Sequence, residues 1–87
     1  MGRSNRTRPQ RLASKLQLIR KHFGLTQPQL IERLTADEPL YPASISEYEN
    51  GKREPSLLVL LQYARLAKVT METLVDDEME LPKKFEK

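Results

Sequence analysis

Few residues in this chain have types suited to covalent or metal chemistry. There is no cysteine, so a thiolate nucleophile, a disulfide framework and a thiolate zinc site are all excluded. His22 is the only histidine and follows Lys21 near the end of an apolar-periodic stretch, where no partner set for a general base or a metal site is in view. A packing or helix-end role suits it better. The three glycines form no phosphate-cradling loop, and Tyr41, Tyr48 and Tyr63 read as packing residues. No cofactor and no enzymatic activity are expected. What remains is charge. Arg3, Arg6, Arg8, Arg11, Lys15, Arg20 and Lys21 precede Ile31 with no acid among them, whereas Glu72, Asp76, Asp77, Glu78 and Glu80 follow with no intervening base. The net charge is only +3, so polarity along the chain says more than the total. A second basic pair, Lys52-Arg53, stands directly after Asn50-Gly51.

The elements that must position these charges are short helices. Eighty-seven residues suit one small domain with a marginal core. Residues 1–8 mix Arg with Gly, Ser and Asn and read as a flexible basic arm; a domain over 9–77 and a charged tail over 78–87 follow. Pro9 suits a first helical turn, and Leu12, Leu16, Ile19 and Phe23 recur at steps of four, three and four, ending at Gly24. Thr26 and Gln29 fit a capping box for a second helix carrying Leu30, Ile31 and Leu34. The stretch TADEPLYP, residues 35–42, is a loop. Pro42 opens a third helix with Ile45 and Tyr48 inward, and Gly51 closes it. Ser56 caps a fourth and very apolar helix, LLVLLQYARLA, and Thr70 a short fifth with Met71, Leu74 and Val75, beyond which fraying is expected. No apolar run approaches the roughly 20 residues of a membrane span, and MGRSNRTRPQR lacks a signal-peptide core, so a cytoplasmic protein with no membrane association is expected. The fold class is all-α, a compact bundle of five short helices.

The segments LTQPQLIERL (25–34), ISEYENGKREPS (45–56) and LLVLLQYARLAKVTMETLV (57–75) together resemble the Xre/Cro-type helix-turn-helix DNA-binding family, which includes phage repressors. The resemblance implies a lambda-repressor-like bundle whose second helix lies across the DNA backbone and whose third enters the major groove. With Ile45 and Tyr48 inward, helical spacing puts Ala43, Ser46, Glu47 and Asn50 on the outward side, with Ser44 beside them. Carried over from the family, Thr26 and Gln27 would hold one phosphate at the start of the second helix, and Asn50, Lys52 and Arg53 another past the third. The bland alternative is that Gln27 only reinforces the cap and that Lys52-Arg53 is a solvated loop. The family also implies that Glu49 turns inward to pair with Arg20, which makes both residues structural.

Three departures from the family pattern matter. The connection between the second and third helices is longer than the usual short turn, with Thr35 in place of glycine. Ile31 stands where the family usually has alanine, so slightly separated helices with Leu40 or Tyr41 plugging the gap are expected. The outward set is also poor in Arg, Lys, Asn and Gln, the strong base readers; Glu47 is suited either to accepting from cytosine N4 or to plain solvation. Arg6 and Arg8, with Arg3, would add phosphate or minor-groove contacts or have no role. The resulting expectation is sequence-specific binding of double-stranded DNA by a transcriptional regulator, a repressor, acting as a homodimer; Met71, Leu74, Val75 and Leu81 are the candidate contact surface, with core packing the other reading for the first three. The alternative is a protein-interaction adaptor or antitoxin-like module on the same scaffold without strong DNA binding.

Overall fold

A computed structural model of the chain describes residues 9–35 and 38–82. Five helices run in the order α1 (Leu12–His22), α2 (Gln27–Arg33), α3 (Pro42–Glu49), α4 (Leu57–Ala67) and α5 (Met71–Val75), with no strand among the described residues. The expected basic arm, with Arg3, Arg6 and Arg8, and the last five residues of the expected tail lie outside them.

Helix ends follow local chemistry at most places. The Thr26 hydroxyl accepts from the Gln29 N–H at 3.2 Å while the Gln29 side chain accepts from the Thr26 N–H at 2.9 Å, a complete capping box. Ser56 and Thr70 cap α4 and α5 through the N–H groups of Val59 and Thr73. At the other end of α3, Gly51 adopts φ +74°, the Lys52 N–H reaches the Glu47 carbonyl at 2.9 Å and the Gly51 N–H that of Tyr48 at 3.3 Å. Those two bonds satisfy carbonyls that would otherwise be orphaned, and they need a left-handed residue, which glycine supplies without steric cost.

The start of α1 departs from expectation. The helix begins at Leu12, with Pro9 outside it, and Arg11 supplies no side-chain cap. A remote carboxylate closes it instead: Asp77 accepts from the N–H groups of Gln10 at 2.9 Å and Arg11 at 3.0 Å. These backbone donors, that of Gln10 first, hold the Asp77 carboxyl below its usual range. Arg11 in turn donates to the Asp77 carbonyl and pairs with Glu80 at 2.8 Å. Asp77 and Glu80 thus contact the start of α1, and Leu81 packs half-buried against the core.

Leu16, Ile19, Leu30, Ile45, Val59, Tyr63 and Leu74 have essentially no exposed surface, and α1 packs against α3, α4 and α5. Each such aliphatic side chain contributes about 1.5–3 kcal/mol of burial, the scale on which a small domain survives. Lys15 joins this interior. Only 2% exposed, it donates through Nζ to the carbonyls of Thr73 at 2.8 Å and Asp76 at 2.9 Å, closing the end of α5, and burial lowers its pKa. Lys15 is a structural cation.

The α2–α3 connection is pinned to α4: the Thr35 hydroxyl donates to the Gln62 side chain and the Ser56 hydroxyl to Glu38, each at 2.7 Å. Of the two side chains expected to plug the gap beside Ile31, Leu40 packs half-buried against the core, whereas Tyr41 stays exposed at the start of α3.

Candidate nucleic-acid interface

Burial divides α3 cleanly. Ile45, Tyr48 and Glu49 face inward, while Ala43 and Asn50 are exposed and Ser44, Ser46 and Glu47 half-buried. The outward side thus carries Ala43, Ser46, Glu47 and Asn50. The Asn50 amide donates to the Ser46 hydroxyl at 3.3 Å, one helical turn back. Ser44 has a more local use, accepting from the Tyr41 N–H at 3.3 Å at the helix start.

One guanidinium fixes this helix relative to its neighbour. Arg20, near the end of α1, donates from Nε and Nη2 to the two oxygens of Glu49 at 2.6 and 3.0 Å, and from Nη1 to the Leu25 carbonyl at 3.0 Å. The Arg20 and Glu49 side chains are 16% and 3% exposed, and the charge-assisted bond to Glu49 raises the Arg20 pKa. Two short segments are therefore tied to the same group: Leu25, which leads into Thr26 and Gln27, and Glu49, which leads into Asn50, Lys52 and Arg53. Arg20 and Glu49 are spent on this tie and present no charge outward.

Gln27, half-buried, is the first residue of α2, and Thr26 before it is exposed. Lys52 and Arg53 are exposed in the loop after α3. Arg53 Nε lies 3.0 Å from Glu47 Oε1, with side-chain exposures of 61% and 41%. Pro9, the first described residue, lines a hollow together with Gly51 and Arg53.

Behind the site, Tyr63 is fully buried, and its hydroxyl has no hydrogen-bond partner among the described residues. Burial and the neighbouring Glu49 carboxylate push its pKa far up. Two features of this region escaped sequence reasoning. Lys15 was legible in principle, since it shares the α1 face of Leu12 and Ile19. The Glu47–Arg53 pair was not, because it spans a helix end, where side-chain spacing rules lapse.

Among the described residues no group of three or more His, Asp or Glu is arranged to hold a metal ion, and no helix is long and apolar enough to cross a membrane. Neither curated proteins nor solved structures give a significant match. Residues 16–74, well over half of the chain, match the family described as Helix-turn-helix, so the span from the α1 stripe to the end of the α5 core is covered. The chain belongs to the Xre/Cro-like helix-turn-helix family of DNA-binding regulators.

Proposed function

We propose that the protein binds double-stranded DNA sequence-specifically by laying α3 in the major groove, and that it represses transcription by occupying its operator. The observation that carries this reading is the shared guanidinium of Arg20, which ties the start of α2 to the end of α3. Gln27 with Thr26, and Asn50 with Lys52 and Arg53, then grip phosphates on either side of the groove, while Ala43, Ser46 and Glu47 meet base edges. Ser44, bonded to the Tyr41 N–H, contributes at the margin. Arg6 and Arg8, which precede the described residues, extend the phosphate contacts.

The test is a salt series on duplex binding. Log affinity falls with log salt by about 0.9 per neutralised phosphate, so Arg53→Ala should reduce the slope by about 1 and weaken binding across sequences. A salt-independent affinity, or no duplex binding at low salt, contradicts the proposal and favours a protein-binding adaptor.

Two-fold operators imply a dimer. The surface expected for it is largely used elsewhere: Leu74 is fully buried and Met71 and Leu81 pack against the core. Leu57 and Leu58, adjacent at the start of α4 and 74% and 61% exposed, are the apolar pair we assign to contact with a second copy. Sedimentation should find a dimer in the wild type and a monomer for Leu58→Lys; equal masses reject this surface.

A further inference from the structure

Glu47 is an anomaly on a face proposed to meet a polyanion. Among the four outward side chains of α3 it is the only charged one, and its charge has the wrong sign for phosphate. Its backbone is fixed, because its carbonyl accepts from the N–H groups of both Lys52 and Arg53, at 2.9 and 3.3 Å. The same turn folds the Arg53 side chain back, so that Nε lies 3.0 Å from the Glu47 carboxylate. Both side chains retain much of their exposure, so solvent or a ligand can reach either one.

A carboxylate brought against DNA must find a donor or be left desolvated among like charges. Two kinds of donor are within its chemistry. One is Arg53, which then stays neutralised and is withheld from phosphate. The other is an exocyclic amine in the major groove. Adenine presents its amine beside the N7 acceptor, which repels a carboxylate, whereas cytosine presents N4–H2 with no acceptor on the same base edge.

We propose, resting on the reading that α3 enters the major groove, that Glu47 determines specificity for cytosine and that Arg53 is its exchange partner. On non-cognate sequence Glu47 keeps Arg53, and the loop loses a phosphate contact. At a cytosine, Glu47 accepts from N4–H2 and Arg53 turns to the backbone, so base recognition and phosphate binding are gained together. Discrimination here works by coupled loss: at the wrong base Glu47 must keep Arg53 as its donor, so the base contact and the phosphate contact are forfeited together.

The experiment is selection of bound fragments from random duplexes, followed by titrations at one salt concentration, for the wild-type chain, Glu47→Gln and Arg53→Ala. The wild type should select cytosine at one position of each half-site. Glu47→Gln should move that preference toward adenine, which an amide reads through N6 and N7, and should bind arbitrary sequence about tenfold more tightly because Arg53 is released. Arg53→Ala should weaken all sequences while keeping the cytosine preference. If the wild type and Glu47→Gln bind duplex but select the same bases, the inference fails and the DNA-binding reading stands. If none of the three binds duplex, the reading itself falls, and the inference with it.

Discussion

Two arginine–glutamate pairs flank α3, built from the same chemistry at nearly the same distance, and they do opposite work. Glu49 pairs with Arg20 at 2.6 Å with side chains 3% and 16% exposed, while Glu47, two residues earlier, pairs with Arg53 at 3.0 Å with side chains 41% and 61% exposed. A half-turn of helix separates an interior from a solvated environment. In the interior, the Glu49 carboxylate has almost no water to fall back on and depends on Arg20, while the part-buried Arg20 also donates to the Leu25 carbonyl, so the pair acts as a fixed joint between α1, α2 and α3. At the surface, water or another anion replaces either partner at little cost, so the pair is exchangeable. Burial, rather than pairing, decides which charges hold the site and which remain available to a ligand.

The largest effect should come from breaking the interior pair. Glu49→Ala leaves the part-buried Arg20 guanidinium without its counter-ion and should cost about 3 kcal/mol of stability, read from chemical denaturation. Replacing both partners together by Met and Leu should cost less than the single change; an equal or larger loss would show that the pair is not the joint described here. Tyr63, against the same pair, sharpens the interior side of the comparison through pH. Its folded pKa is raised by burial and by Glu49, so the stability it contributes is complete below the ordinary tyrosine value near 10 and is lost as pH climbs beyond it. Wild-type protein should therefore lose stability steeply above about pH 10, and Tyr63→Phe much less. Lys15, whose pKa burial lowers, works in the other direction but is present in both proteins and cancels in the comparison. At neutral pH the same substitution removes a buried hydroxyl that has no partner among the described residues, and should be neutral or stabilising by up to about 1 kcal/mol. The smallest effect belongs to the solvated pair: Glu47→Ala should shift stability by no more than about 0.5 kcal/mol, and a loss on the scale of Glu49→Ala would erase the distinction.

How much of this was legible follows from the range of each interaction. The Thr26–Gln29 capping box, the glycine that ends α3 and the caps at Ser56 and Thr70 are encoded within a few residues and were readable as such. So was the inward stripe of Leu12, Leu16 and Ile19, which repeats with the helix period. The closure of α1 by Asp77 was not, because a carboxylate more than sixty positions away carries no local mark of where it will fold. Asp77 sits at the last position of the expected domain, where nothing local marks it as the cap that α1 lacks. Composition misled in the same way for Lys15, counted with the basic half and found sealing α5. Residue types on the candidate face were readable from α3 periodicity; the state of Glu47 was not, since its partner lies beyond the helix end.

The most direct measurement is an amide-by-amide NMR titration of the protein with a selected duplex. Shifts should concentrate at the start of α2, around Thr26 and Gln27, and along α3 and its loop from Ala43 to Arg53, with α5 and the end of α4 near Lys68 unchanged. Shifts confined to Leu57, Leu58 or α5, with α3 silent, would contradict a DNA-binding face built on the Arg20 joint.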